Sequence, residues 1–160
     1  MYQQLAGAAA ATIHGRFLKL MPRGLSPKAV LKLPAGVIRS AGVSGAKEAA
    51  VTDLSRKVLD GTVPLQDVDS LGDDELVERL VHVRGIGRWT AEMFLLFQLR
   101  RTDVWPVDDF AVRKGWAIVH RLTEAPKPKA LQAEGDIFRP YRSIVAWYCW
   151  RATDTVLPEG

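Results

Sequence analysis

An all-α fold is predicted by this sequence on three observations. No run alternates apolar and polar residues as a half-buried strand would. The Ala-rich opening, residues 3–20, places its apolar residues at helical spacing. Helix-starting and helix-stopping residues then punctuate the rest of the chain, leaving only short connectors.

The first predicted helix is residues 3–20. Ser26-Pro27 starts a second, because Ser caps free backbone N–H groups and Pro fits the first turn, and it runs to about residue 33. Pro34 opens a short helix to residue 41. Ser44 caps a longer one over 45–59, stopped by Gly61. Residues 73–83 form a helix with acids in its first turn and Arg79 near its end, as the helix dipole favours. Residues 88–100 and 108–119 follow, the latter with two acids, Asp108 and Asp109, at its start. Pro126 or Pro128 begins a helix to residue 134, and the last helix spans 140–152 with Trp147 and Trp150 three apart. Residues 153–160 are expected to fray.

The bulk properties limit the function classes. A chain of 160 residues fits one compact domain, with room for two lobes. At 48% hydrophobic and 25% charged residues it can form an ordinary soluble core. The most apolar stretch, residues 93–99, is broken by Gln98 and falls short of the ~20 residues of a membrane span. Met1-Tyr2-Gln3-Gln4 does not read as a signal peptide, so a cytoplasmic, nucleoid-associated protein is expected. The single cysteine, Cys149, excludes an internal disulfide and a Cys-rich metal cluster, and its aromatic surroundings read as core. The histidines His14, His82 and His120 lack metal-ligand spacing. A net charge of +4 and a pI near 9.4 permit a polyanionic partner without requiring one.

The stretch His82-Val83-Arg84-Gly85-Ile86-Gly87-Arg88-Trp89-Thr90 is the most telling. It joins two predicted helices. Glycines there can adopt positive φ and leave the backbone bare, so a phosphate can approach. The N–H groups of residues 85–88 are expected to point outward at a helix start, forming an anion site with Arg84 and Arg88 beside it. Contacts of that kind hold a DNA backbone without reading its sequence. Downstream, Pro106-Val107-Asp108-Asp109 offers a carboxylate for chemistry on a nucleotide. A tight helical turn with two capping acids is the alternative from these residues alone.

These segments, with Tyr2-Gln3-Gln4-Leu5, Ala9-Ala10-Ala11-Thr12-Ile13, Gly42-Val43-Ser44, Pro140-Tyr141-Arg142-Ser143 and Trp147-Tyr148-Cys149-Trp150, occur in one order over nearly the whole chain. In this the sequence resembles the helix–hairpin–helix DNA glycosylase superfamily, and within it the bacterial 3-methyladenine DNA glycosylase II branch. The resemblance implies an all-α, two-lobed fold, with one lobe at about 61–125 carrying the hairpin and the catalytic acid, and the other built from 1–60 and 126–160. It implies base excision repair on double-stranded DNA by base flipping, with Asp109 as the catalytic carboxylate and Asp108 then as the cap of its helix. Members that also cut the strand carry a lysine, the Schiff-base nucleophile, two residues after the second hairpin glycine. Trp89 stands there, which implies a monofunctional enzyme using water.

The resemblance further places Trp89, Met93 and Trp150 at the substrate pocket, with Tyr148, Trp105 and Phe110 as neighbouring candidates. It places Arg84, Gly85, Ile86, Gly87, Arg88 and Thr90 on DNA, and Leu5 as the wedge that fills the gap left by the flipped base. Backbone carbonyls of Val81, Val83 and Ile86 match those that hold a monovalent cation, Na+ or K+, in relatives. The iron–sulfur cluster of some relatives needs four cysteines, and none is expected here. An alkylated purine such as 3-methyladenine or 7-methylguanine is cationic, and an indole attracts it by about 0.5–2 kcal/mol. Other lesions, a non-catalytic helix–hairpin–helix DNA-binding module, and a structural helical protein remain open alternatives. Relatives carry a further segment before Gln3-Gln4-Leu5; its lack would uncover apolar faces of 3–20 and 140–152, so either self-association or reduced stability is expected.

Overall fold

The computed structural model describes residues 7–155. Among these residues it is helical, with no strand. The α-helices are α1 (Gly7–Lys19), α2 (Pro27–Leu31), α3 (Val37–Ser40), α4 (Gly45–Leu59), α5 (Asp73–Val81), α6 (Arg88–Phe97), α7 (Phe110–Val119), α8 (Pro128–Glu134) and α9 (Arg142–Asp154), with 3-10 turns at Val68–Ser70 and Gly135–Phe138. No described helix is long and apolar enough to cross a membrane. The chain divides into two compact units at Gly87/Arg88, where the hairpin ends and α6 begins.

In the first unit, caps are set as the sequence predicts. The Ser26 hydroxyl accepts the N–H of Ala29 at 3.2 Å and starts α2, with Pro27 in its first turn. The Ser44 hydroxyl accepts the N–H of Lys47 at 3.4 Å and starts α4. α2 packs on α4. Phe17, Met21, Val30, Ile38, Ala41 and Val43 form the core, and burying each large side chain stabilises by about 1.5–3 kcal/mol. α5 stops at Val81, earlier than the predicted 83, because the N–H of Val83 turns back to the carbonyl of Leu80 at 3.0 Å and ends the turn tightly.

In the second unit, α7 packs chiefly on α9. The crossing is set by Gly115: a Cβ there would overlap the backbone carbonyl of Cys149. Trp105, Val112, Trp116, Leu131, Ala146 and Cys149 form the core. α6 ends at Phe97 instead of residue 100. The N–H groups of Gln98 and Leu99 both reach the carbonyl of Phe94, at 3.0 and 3.1 Å, and Arg100 takes a left-handed φ of 56°. The connector that follows is tied to the start of α9. Arg142, itself buried, grips Asp103 with Nε at 2.6 Å from Oδ1 and Nη2 at 2.9 Å from Oδ2. The Ser143 hydroxyl accepts the N–H of Val104 at 2.9 Å and donates to the carbonyl of Arg101 at 2.6 Å. Those bonds fix the path of residues 101–109, which delivers Asp109. α9 opens at Arg142, not residue 140, and carries helix through Asp154, two residues beyond the expected end.

Candidate active site

Asp109 stands where the connector meets α7. Its N–H closes a turn on the carbonyl of Pro106 at 3.0 Å, and its backbone is extended, with φ −71° and ψ 118°. That conformation makes Asp109 itself the cap of α7: Oδ1 accepts the N–H of Val112 at 3.0 Å. The expectation that Asp108 caps is therefore corrected; Asp108 is exposed and one residue outside the helix boundary. The cap is also bound from two other helices. The indole Nε1–H of Trp89, on α6, donates to Oδ2 at 2.7 Å. The indole Nε1–H of Trp150, on α9, donates to Oδ1 at 3.2 Å. Asp109 is only 9% exposed, so these bonds are little diluted by water. The predicted site residues Asp109, Trp89 and Trp150 are thus brought together in the second unit.

Around them the structure sorts the remaining pocket candidates. Met93 lies one turn beyond Trp89 on α6 and is half-buried. Phe97, which sequence reasoning missed, stacks on Trp150 with centroids 5.7 Å apart and remains exposed. Trp105 is not a wall. It is buried in the core, where its Nε1–H donates to the carbonyl of Leu131 at 2.9 Å. Phe110 is exposed under the guanidinium of Arg113, and Tyr148 is exposed edge-on to Trp147. Cys149 is buried, and burial pushes its thiol up to about 11, in keeping with a core residue.

Glu92 is the other residue the sequence reading passed over. It is 4% exposed on α6, three residues after Trp89. Arg88 Nε donates to its Oε1 at 2.9 Å, while Oε2 is buried without a partner. Burial raises its carboxyl above the usual range; Arg88 opposes that rise, and the charges of Asp108 and Asp109 add to it. A buried acid beside other acids is the pattern of a functional site.

The hairpin occupies residues 82–87. Gly85 has φ 78°, which only glycine adopts without strain. Val83 is buried, whereas Arg84, Gly85 and Gly87 are exposed. The Ile86 N–H does not point outward as expected; it donates to the carbonyl of Val83 at 3.0 Å within the turn. No hydrogen bond engages the N–H of Gly85 or Gly87 among the described residues. Arg88 opens α6 with its side chain on Glu92, and Thr90 is half-buried in the same first turn. The carbonyl of Val83 accepts that bond from the Ile86 N–H. Among the described residues no group of three or more His, Cys, Asp or Glu could hold a metal. His82 Nδ1 donates to the carbonyl of Glu78 at 2.7 Å and His120 stacks on Trp116. Leu5 lies outside the described residues.

The model of the HhH-GPD superfamily of base excision DNA repair proteins matches residues 1–140. The chain belongs to that superfamily. DNA-3-methyladenine glycosylase 1 of Schizosaccharomyces pombe is 34% identical over 154 residues, covering 94% of this HhH-GPD chain and 68% of the relative. The solved structure of that organism's 3-methyladenine DNA glycosylase in complex with abasic DNA matches with a TM-score of 0.80 at 33% identity, covering 96% of this chain and 76% of that one. The DNA-3-methyladenine glycosidase of Bacillus halodurans matches with a TM-score of 0.88 at 31% identity, covering 96% and 71%. A putative DNA-3-methyladenine glycosylase of Bacillus subtilis is 27% identical over 128 residues, and this HhH-GPD chain spans 45% of its length.

Proposed function

We propose that this protein is a monofunctional DNA glycosylase that hydrolyses the N-glycosidic bond of alkylated bases, 3-methyladenine and 7-methylguanine, after flipping them out of duplex DNA. One observation carries the reading: Asp109, nearly buried, is fixed by the indole N–H groups of Trp89 and Trp150 and by the N–H of Val112. A carboxylate offers about four acceptor positions. Three are filled, two on Oδ1 and one on Oδ2, so Oδ2 keeps a position for a water.

A cationic alkylpurine leaves readily and needs little acid catalysis. What remains is to stabilise the electron-poor sugar as the bond lengthens and to bring water to C1′. Asp109 supplies the negative charge for the first and the Oδ2 acceptor for the second. The partly exposed indole face of Trp89 favours the cationic base, and Met93 and Trp150 with its stacked Phe97 supply further apolar contact. Trp89 has no amine to form a Schiff base, so the product is an abasic site on an intact strand. The N–H groups of Gly85 and Gly87, with Arg84, Ile86, Arg88 and Thr90 around them, take the phosphate backbone. The carbonyls of Val81, Val83 and Ile86 would take a Na+ or K+ that stiffens the hairpin. Leu5 would fill the gap in the duplex.

The test is release of methylated base from alkylated duplex DNA by this protein and by Asp109→Asn. Release by the wild type and its loss in the variant, with DNA binding kept, supports the proposal. Salt-sensitive binding with no release by either protein would sink it in favour of a helix–hairpin–helix binding module.

A further inference from the structure

Asp53 lies 31 residues before Arg84 in sequence, yet its Oδ2 accepts the backbone N–H of Arg84 at 2.7 Å. The same oxygen receives Lys57 Nζ at 2.7 Å, one turn along α4. Ala50, three residues before Asp53 on that helix, meets the hairpin too: a Cβ built on Gly85 would lie 3.4 Å from the Cβ of Ala50. Residues spaced by three and seven share a helix face. Ala50, Asp53 and Lys57 therefore form one face of α4 on which the hairpin rests. The Arg84 N–H immediately precedes Gly85, whose left-handed φ gives the turn its shape.

We infer that Asp53 is a positioning residue that sets the hairpin in its phosphate-binding form, through the Arg84 N–H, before DNA arrives. The inference rests on the proposed DNA-gripping role of the hairpin. Preformed donors cost less ordering when an anion binds, so affinity depends on what holds the loop as well as on the donors themselves. The Asp53 carboxylate is an awkward neighbour for phosphate, and Lys57 offsets that charge at the oxygen that does the holding. Consistent with this, the Arg84 N–H and then Lys57 hold the Asp53 carboxyl below its usual value of 3.8.

The experiment compares wild type, Asp53→Ala and Asp53→Asn for binding to duplex DNA bearing a stable abasic-site analogue, by fluorescence anisotropy. Amide hydrogen exchange and melting are followed on the same samples. Asp53→Ala should weaken binding by about tenfold. The Arg84 amide should lose protection while the α4 and α5 amides and the melting temperature hold. Asp53→Asn keeps an acceptor oxygen and should restore affinity to within about threefold of wild type. Single-turnover base release at saturating protein should stay within about twofold in both variants, because Asp109 is untouched. Wild-type affinity in Asp53→Ala would overturn the inference while leaving the DNA-binding reading standing. Equal weakness of Ala and Asn would also overturn it, since charge and not the accepted N–H would then be responsible. If wild type binds no DNA, the reading beneath it fails, and the inference with it.

Discussion

Replacing Trp89 by Phe separates the two things its side chain is assigned. The ring stays, so the apolar face and most of the cation attraction remain. The indole N–H goes, and with it the only hydrogen bond on Asp109 Oδ2 among the described residues, now 2.7 Å long. The carboxylate would then be held only at Oδ1, by Val112 and Trp150, and could rotate about its last bond. A hydrogen bond to a charged acceptor contributes about 1.5–3 kcal/mol. Trp89 is 40% exposed, which argues for the lower half of that range. At about 1.4 kcal/mol per decade, the single-turnover rate of base release should fall roughly 10- to 40-fold. DNA affinity should change by less than about threefold, since the hairpin is unaltered. Trp89→Leu, which removes ring and N–H together, should fall further, by another ~2- to 30-fold. Rate measurements on alkylated duplex with protein in excess decide the matter. A Phe variant as fast as wild type, with the Leu variant slow, would show that the ring matters and the N–H does not, and the account of Oδ2 as the pinned, water-holding oxygen would be wrong.

Other outcomes follow from the same structure. Glu92→Met removes a buried acid whose carboxyl is raised in the folded state. Ionising it costs stability as pH rises from the unfolded value of 4.5 through the folded one, so the melting-temperature difference, variant minus wild type, should grow more positive between pH 4.5 and 8; a flat difference would remove Glu92 from the linkage. Cys149, buried with a thiol near 11, should resist a thiol reagent at pH 8 in the native state and react at once in denaturant; prompt native reaction would contradict its burial. Gly115→Val should prevent folding, read by loss of a cooperative melt, because the α7–α9 crossing has no room for a Cβ. Exposed Tyr141, just before α9, and Ile144, Trp147 and Tyr148 on it leave much apolar surface, so mass measured by light scattering should rise with concentration; a constant monomer mass would refute that.

What could be read from the sequence was local. Ser26-Pro27 and Ser44 announced their helices because a capping hydroxyl acts within three residues. The all-α class followed from the same short-range signals. Of the hairpin glycines, Gly85 was legible because a left-handed turn needs it; Gly87 takes no such φ. The choice between Asp108 and Asp109 as cap was not local. It depends on where residues 101–107 deliver the chain, and that path is set by Arg142 and Ser143, some 40 residues away. The same long range hid Phe97 against Trp150 and Asp53 against Arg84. Glu92 was hidden differently. Four residues after Arg88 it reads as an exposed i,i+4 pair, and only its burial shows that one carboxylate oxygen has no partner.

Asp109 is the cap of α7 as well as the carboxylate proposed to react, and both roles ask for one fixed position. A cap must keep its oxygen within reach of backbone N–H groups at the start of a helix, so its position is fixed by α7 itself. The helix start also carries partial positive charge, which favours an anion there. The indoles of Trp89 and Trp150 then fix the direction of the carboxylate from α6 and α9. A freely rotating acid on a loop would need ordering at each turnover; this one is ordered by folding. Asparagine can serve nearly as well as aspartate as a cap. Asp109→Asn can therefore keep the cap at Oδ1, but its amide NH2 would face the Trp89 N–H and lose that bond, at about 1–3 kcal/mol, so failure of base release reports on the chemistry where a cooperative melt and DNA binding are kept.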